Sequence, residues 1–199
     1  MILIVAAMQS EIEYIEKHSH KETHLLTTGV GKVNAAFQLA KALSNNHYEA
    51  IINLGLAGAT KPFKPGDIVL IDEATYHDFD LTMFGYHIGQ VPGYPPFFKP
   101  DQELKKQIEK ALFDIKHGTL YTGDRFMTGK MEDAMVFDME GTALFQVASS
   151  YQIPIISIKV ISDIVGDHGH LENYRRFESE EGSKRLNDIY QKIMKEVIE

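Results

Sequence analysis

Short apolar runs alternate along this chain with stretches whose apolar residues recur every three or four positions. The runs, many of them β-branched, cover residues 2–6, 24–28, 50–55, 66–77, 119–123, 134–139 and 154–162. Helical periodicity follows Ser10 and Gly31 and covers residues 102–115, 141–150 and 183–198. Such runs bounded by helical segments are typical of a parallel sheet. The pattern predicts an α/β fold, a single domain over residues 1–199, with a mixed, largely parallel twisted sheet flanked by helices.

Composition and charge narrow the class of protein. The 199 residues include no cysteine, which excludes disulfides, zinc–thiolate sites and thiol nucleophiles. The formal net charge of −8 comes from 28 acidic and 20 basic residues, so we expect no nucleic-acid partner. Arg175 and Arg176 are followed closely by acids, which is typical of a solvated helix face.

The apolar runs are too short to cross a membrane, so we expect no membrane partner. The first run, residues 2–6, has no basic segment before it and predicts a strand rather than a signal peptide. We therefore expect a cytoplasmic protein.

Several candidate polar residues lie at or just after the ends of predicted strands. Glu11, Glu140 and Asp163 occupy such positions, and glycine turns at 29–31 and 57–58 follow two further strands. In α/β sheets, ligands bind outside the carboxyl ends of the strands. The sequence therefore predicts a pocket at this edge of the sheet, with carboxyl groups facing it.

Two of these acids also have a purely structural interpretation. Glu11 lies in the first turn of a helix, where the macrodipole favours an acid, and Ser10 with Glu13 predicts a capping box there. Asp163 equally suits a turn before Gly166. Position alone leaves both interpretations open.

Nucleotide and metal motifs fit the chain poorly. The spacing of Gly29 and Gly31 matches neither a Walker loop nor a dinucleotide fingerprint, although an anion or a sugar hydroxyl could meet the helix N-terminus there. Two segments combine His with Asp, and their candidate metal ligands are His77, Asp78, Asp80, Asp167, His168 and His170. No helical ligand pair supports them and such residues are common in turns, so we expect no metal.

A set of motifs in a fixed order carries a family resemblance over most of the chain. The motifs are AAMQSE, GVGKVNAA, INLGLAGA, PGDIVLIDEATYHDFDLTMFGYHIGQVPGYP, GDRFMTG, FDMEGTA and ISD. Together they resemble the 5′-methylthioadenosine/S-adenosylhomocysteine nucleosidases of the purine nucleoside phosphorylase superfamily. The resemblance implies a nucleoside phosphorylase-like fold and hydrolysis of the N-glycosidic bond, with release of adenine and the thioribose moiety in methionine salvage. It implies no cofactor.

The resemblance also implies roles for individual residues. Glu11 would activate the attacking water, and Asp163, oriented by Ser162, would protonate N7 of the departing adenine. Glu140 would hold the ribose hydroxyls, and Phe126 would stack on the base. The remaining substrate contacts that the resemblance implies are Met8, Ala57, Gly58, Met127, Met139 and Tyr174.

A further implication is a homodimer. In this sequence Leu81, Phe84 and Pro92 match the apolar patch that, in the family, closes over the 5′ substituent bound in the neighbouring subunit.

The implied chemistry requires two acids in different protonation states. Asp163 must hold a proton to donate it, so we expect burial to raise its pKa above the ordinary value of about 4. Glu140 should remain ionised, because ribose hydroxyls donate to its charged form. We expect Asp138 to support the site or its strand.

Some segments depart from the family pattern. The chain between Glu11 and Gly29 is short for the early hairpin of the family, and the segment from Met127 to Asp138 is also abbreviated. The late aromatic contact corresponds to Tyr174 or, if the alignment slips by one, to position 173.

Two single positions also differ from the family pattern. Leu56 stands where the family has a small hydroxyl residue, and Lys159 stands where it has Arg. Both positions help the water or the base in the family. Strand alternation places Lys159 and Asp163 on one face, about 13 Å apart.

Other functions remain open at this stage. A nucleosidase for another purine nucleoside, such as futalosine, fits the same residues. So does a nucleoside-binding relative without catalysis, although pure binding would not require Glu11, Glu140 and Asp163 together. A phosphorylase fits less well, because no arginine accompanies the glycine loops to clamp a phosphate.

Overall fold

A seven-stranded mixed sheet forms the centre of the computed structural model, which describes residues 1–129, 133–167 and 169–198. The strands are β1 (Ile2–Ala6), β2 (Thr23–Thr27), β3 (Ala50–Ala59), β4 (Ile68–Tyr76), β5 (Lys116–Thr122), β6 (Val136–Asp138) and β7 (Ile155–Ile164). Most pairings are parallel; within the described chain, β3–β6 and β4–β7 are antiparallel. The predicted α/β class and mixed, largely parallel sheet are confirmed.

Five of these strands pair in a closed ring. The order β3–β6–β5–β4–β7 returns to β3, because β7 pairs with β3 as well as with β4. β1 and β2 extend the sheet from β3 on the other side. Closure brings the ends of β3, β6 and β7 together, and these strands carry or precede the candidate site residues.

Helices cover both faces of the sheet. They are α1 (Gln9–Lys17), α2 (Lys32–Asn45), α3 (Gln102–Ala111), α4 (Gly141–Tyr151), α5 (His170–Phe177) and α6 (Ser183–Ile198). A 3₁₀ turn spans Thr82–Phe84, and a π turn (Glu178–Gly182) joins α5 to α6. α2 and α4 pack into one apolar core, and α1, α3 and α6 pack into a second. Both faces of the central strands are therefore buried, as their continuous apolar runs predict.

Local chemistry accounts for two helix boundaries. α3 begins where the Asp101 carboxylate accepts hydrogen bonds from the backbone N–H groups of Glu103 and Leu104 at 3.0 Å. The capping box predicted for Ser10 and Glu13 is wrong. α1 begins at Gln9, and the Ser10 hydroxyl instead donates to Glu178 of the π turn at 2.9 Å.

No helix within the described residues is long and apolar enough to cross a membrane.

Candidate active site

A cavity of about 300 Å³ opens at the carboxyl ends of the strands, as the sheet-edge argument predicts. Its walls come from segments far apart in the sequence, and most of the predicted site residues line it. The predicted residues in the lining are Met8, Glu11, Ala57, Gly58, Phe126, Met127, Met139, Glu140, Asp163 and Tyr174.

Glu11 is a buried carboxyl group held by backbone donors. One oxygen accepts hydrogen bonds from the N–H groups of Ala7 and Met8, and the other accepts from Leu56, at 2.8–2.9 Å. Burial raises the pKa of Glu11, although the Leu56 N–H and the ammonium group of Lys159 act in the opposite direction. A carboxylate has about four acceptor sites, so these bonds leave capacity for a water proton. The capping role and the cavity-facing role therefore coexist in Glu11.

Glycine permits the close approach of charged groups next to Glu11. A Cβ atom at Gly55 would lie 3.1 Å from the Glu11 Oε1 atom and 3.4 Å from the Lys159 Nζ atom. Since β3 has no side chain at this position, the carboxyl group and the ammonium group can share the space beside it.

Glu140 lies at the start of α4 and is held by the glycine loop. Its Oε1 atom accepts a hydrogen bond from the Gly31 N–H at 2.8 Å, and Gly31 has φ = +97°, a conformation that favours glycine. Burial, and then the charge of Asp138, raise the pKa of Glu140 to about 7. The expectation that Glu140 remains ionised rests on hydrogen bonds donated by ribose hydroxyls, and it stays a prediction for the substrate-bound protein.

Asp138 supports the site, as expected from the sequence, and has three partners. Its carboxylate accepts hydrogen bonds from the Thr122 hydroxyl at 2.6 Å and from the Gly141 N–H at 2.8 Å. It also pairs with the buried Lys159 ammonium group at 2.8 Å. Burial opposes the charge on Lys159, but Asp138, Glu140 and Glu11 outweigh it and raise the pKa of Lys159.

Asp163 is buried at the end of β7, where the strand ladder is irregular. Ala57 pairs with Ile161 and Gly58 pairs with Asp163, so Ser162 is an extra residue in β7. Such bulges re-aim side chains, and here the Ser162 hydroxyl donates to Asp163 Oδ1 at 2.6 Å. The strict alternation that placed Lys159 and Asp163 on one face is therefore interrupted between them.

Two aromatic rings form part of the cavity wall. Phe126 and Tyr174 meet edge to face, with 5.9 Å between ring centroids. Tyr174 lines the cavity, and position 173 is not among the residues that line it. Burial raises the pKa of the Tyr174 hydroxyl, so it is neutral at physiological pH.

Four of the predicted binding residues do not line this cavity, and one of them, Ser162, contacts it through Asp163. Leu81, Phe84 and Pro92 belong to the loop after β4 and do not line it. Phe84 and Pro92 are exposed and Leu81 is half-buried. Their predicted contacts involve a neighbouring subunit.

The structure adds lining residues that the sequence did not single out. Val30, Leu171, Arg125 and Arg175 line the cavity. Arg175, which the sequence predicts on a solvated helix face, is exposed but also lines the cavity from α5. A helix was expected here, but its position beside the cavity leaves no signal in the largely polar sequence of α5, HLENYRRF. The Leu56 N–H is a further contribution, made by backbone and therefore invisible in side-chain motifs.

The described residues contain no cluster of three or more His, Asp or Glu side chains suited to a metal ion. Asp78 pairs with Lys32 instead. Of the other candidate ligands, His168 and the side chain of His170 lie outside the described part of the chain.

Comparison with known proteins agrees with this geometry. A sequence model of the phosphorylase superfamily matches residues 7–199. A candidate 5′-methylthioadenosine/S-adenosylhomocysteine nucleosidase from Borrelia burgdorferi B31, solved with adenine, is 33% identical with a TM-score of 0.87, covering 98% of this chain and 99% of that chain. The nucleosidase from S. pneumoniae, solved with the transition-state inhibitor MT-ImmA, is 28% identical with a TM-score of 0.90, at 98% and 99% coverage.

A futalosine hydrolase from Helicobacter pylori strain 26695 has a TM-score of 0.89 at 19% identity, covering 98% of this chain and 97% of that chain. At that identity the likeness shows a shared fold. The match over residues 7–199 and the 33% identity show more: the chain belongs to the phosphorylase superfamily and, within it, to the 5′-methylthioadenosine/S-adenosylhomocysteine nucleosidase family.

Proposed function

We propose that this protein hydrolyses the N-glycosidic bond of 5′-methylthioadenosine and S-adenosylhomocysteine and releases adenine. The observation that carries the proposal is the convergence of three buried carboxyl groups, those of Glu11, Glu140 and Asp163, on one cavity. Each comes from a different element, and burying an acid is costly unless the group is used or paired. Three together at the carboxyl edge of the sheet favour catalysis over simple binding.

In the proposed reaction, the bond between C1′ of the ribose and N9 of adenine breaks. Its electron pair goes to the base, which takes a proton at N7 from Asp163. Water attacks C1′ of the oxocarbenium-like transition state from the opposite face and gives its proton to Glu11. This division of work between an acid and a base parallels that of inverting glycosidases.

The proposed sugar site is the carboxyl group of Glu140, which would accept hydrogen bonds from the ribose hydroxyls. Because those bonds favour the ionised form, substrate binding should lower the pKa of Glu140 from about 7. Met139 and Met8 would pack against the sugar and its 5′ substituent.

The proposed base site uses the edge-to-face pair of Phe126 and Tyr174. Phe126 would stack on adenine, and backbone groups at Met127 would contact its edge. Ala57 and Gly58 leave space beside Asp163, since a Cβ atom at Gly58 would lie 3.3 Å from the Asp163 Oδ2 atom.

The departures at positions 56 and 159 are compatible with this mechanism. Leu56 supports Glu11 through its backbone N–H, which any residue except proline supplies. Lys159 keeps a positive charge next to Asp138, Glu140 and Glu11, as arginine would. In the early segment, the described residues 18–28 contain the single strand β2 instead of a hairpin.

We further propose a cytoplasmic homodimer that acts in methionine salvage. The loop after β4 exposes Met83, Phe84 and Ile88, and α2 exposes Val33 and Phe37. We interpret these exposed apolar side chains as part of the proposed interaction surface. The partner's loop would then close the open side of the cavity over the 5′ substituent, with Leu81, Phe84 and Pro92 in that contact.

The test is release of free base from a panel of nucleosides, with and without phosphate. We expect adenine from methylthioadenosine and adenosylhomocysteine, no phosphate dependence, and loss of turnover in Glu11→Gln. Strict phosphate dependence would identify a phosphorylase. Cleavage confined to futalosine would identify the alternative nucleosidase, and tight binding without turnover, unchanged in Glu11→Gln, would identify a noncatalytic relative.

A further inference from the structure

A closed triangle of polar contacts lies beside the cavity without lining it. The Lys32 ammonium group contacts both Asp78 carboxylate oxygens, at 2.6 and 2.7 Å. The Asp124 backbone N–H donates to Asp78 Oδ2 at 2.8 Å, and the Lys32 backbone N–H donates to Asp124 Oδ1 at 2.9 Å. Each residue of this Lys32–Asp78–Asp124 triad therefore contacts the other two.

The triad connects two walls of the cavity through very short stretches of backbone. Lys32 directly follows Gly31, whose N–H holds the Glu140 carboxyl group at 2.8 Å. Asp124 lies two residues before Phe126, whose ring lines the cavity. Adjacent amides of the glycine loop thus bind two carboxyl groups, one in the proposed sugar site and one at the base of the loop that carries the aromatic ring.

A comparison within the chain shows that an ion pair alone would not suggest a role. Lys105 and Asp72 form a pair of the same length, 2.6 Å, with similar exposure: 23% and 36%, against 24% and 26% for Lys32 and Asp78. Pairs this exposed contribute little to stability. The Lys32 triad differs because backbone amides from two separate loops take part in it, so it fixes the backbone of both loops.

The charges of Lys32, Asp78 and Asp124 stabilise the contacts within the triad. Burial opposes ionisation of Asp78, but Lys32 and the Asp124 N–H outweigh it and lower the pKa of Asp78. The Asp124 carboxylate also lies 3.7 Å from the Lys32 ammonium group. The one cation therefore sits between two carboxylates, and its removal leaves them facing each other.

We propose that the Lys32–Asp78–Asp124 triad is a positioning element that sets the spacing between the sugar-binding carboxyl group of Glu140 and the base-stacking ring of Phe126. The inference rests on the proposed function for the identity of the two subsites. A ligand that occupies both subsites needs that spacing, whereas a ligand in one subsite does not. Loss of the triad should therefore weaken nucleoside binding much more than binding of the free base.

The test compares Lys32→Met with the matched control Lys105→Met. We expect Lys32→Met to raise KM for methylthioadenosine about tenfold, with kcat changed less than threefold and the Kd for adenine changed less than twofold. Lys105→Met should leave all three constants within twofold of the wild-type values. Equal effects of the two substitutions on KM, or an equal loss of nucleoside and adenine affinity in Lys32→Met, would overturn the proposal.

A second pair of variants separates positioning from folding. Asp124→Asn keeps an oxygen acceptor for the Lys32 N–H, so its KM should stay within about threefold of the wild-type value. Asp124→Ala removes the acceptor and should resemble Lys32→Met. If both substitutions lower the melting temperature but leave KM unchanged, the triad is structural only.

Hydrogen exchange tests the coupling independently of activity. Lys32→Met should accelerate amide exchange in both segments 29–32 and 124–127, and Lys105→Met should accelerate neither. Hydrogen exchange does not require turnover. If the wild-type protein cleaved none of the nucleosides, the proposed function would be wrong, but accelerated exchange in both segments would still show that the triad couples the two loops. Acceleration of one segment alone would refute the link.

Discussion

Glu140 carries the charge state on which ribose binding depends. Its carboxyl group is buried next to Asp138, and its pKa of about 7 lies above the ordinary value of 4.5. Between these two pH values the folded protein binds more protons at this site than the unfolded chain does. The contribution of Glu140 to the free energy of unfolding therefore falls as pH rises from about 4.5 to 7, by up to about 3 kcal/mol.

Glu140→Gln removes this titration while keeping an oxygen for the Gly31 N–H. We expect the variant and the wild-type protein to have similar stability near pH 5, and the variant to be more stable at pH 8, by at most the same few kcal/mol. Urea denaturation at both pH values measures the difference. A variant that becomes less stable relative to wild type as pH rises would show that Glu140 is stabilised as an anion in the fold.

Asp163→Asn tests the proposed proton donor. Asparagine can still accept the Ser162 hydroxyl hydrogen bond, so binding should be retained, while loss of acid assistance should lower kcat by about 10²–10⁴-fold. Asp167→Asn, at an exposed carboxylate that pairs with Lys61 at 3.7 Å, is the matched control and should have wild-type kcat. If both variants had comparable kcat values, Asp163 would not be the proton donor.

At the scale of elements, one buried ion pair joins three parts of the fold. Lys159 of β7 contacts Asp138 of β6, and Asp138 accepts the Gly141 N–H at the start of α4. The pair is fully buried, so removing one partner leaves the other charge without compensation. This ion pair therefore adds a polar link between β6, β7 and the start of α4.

Lys159→Met should destabilise the protein by about 3–5 kcal/mol, because the Asp138 carboxylate is left buried and unpaired. Adding Asp138→Asn removes that charge, so the double variant should recover part of the loss. Denaturant midpoints of the four proteins form a double-mutant cycle. Strict additivity of the two single effects would mean that the ion pair does not couple the elements.

The elements themselves differ in how far sequence predicts them. Most strands were predictable because Ile, Val and Leu are the main residues in them, as in β1. The sequence predicts a helix that ends at residue 115, but α3 ends four residues earlier, at Ala111. The prediction is too long because apolar residues continue at helical spacing through Leu112 and Ile115. The closure of the ring was not predictable, because it depends on the three-residue strand β6 and on pairings between distant segments.

The candidate site was predictable to a similar degree. Strand ends and ordered motifs identified Glu11, Glu140 and Asp163, because side-chain chemistry at a sheet edge leaves a sequence signal. Backbone contributions to the site leave no such signal in the sequence. The hydrogen bond from the Leu56 N–H to Glu11 and the bulge at Ser162 both arise from the packing of β3 against its neighbours.

At the scale of the whole molecule, the proposed dimer predicts that Phe84 is required for association of the two subunits and that Phe113 is not. Phe84→Glu should weaken association and raise KM for 5′-substituted nucleosides, because a charge would enter the apolar contact. Phe113→Glu is the control, because Phe113 is 92% exposed against 76% for Phe84 and follows α3 instead of β4 in the chain. Light scattering and kinetics measure both effects. A wild-type monomer, or equal behaviour of the two variants, would contradict the dimer.

The closed ring of strands has a consequence for biosynthesis. β3 and β4 are made early, but β7, which pairs with both of them, spans Ile155–Ile164. A nascent chain that stops before this segment exposes unpaired backbone along two apolar strands, a template for association with other chains. The ring of strands can therefore close only after residue 164 has left the ribosome, and until then the exposed strand edges favour association with other chains.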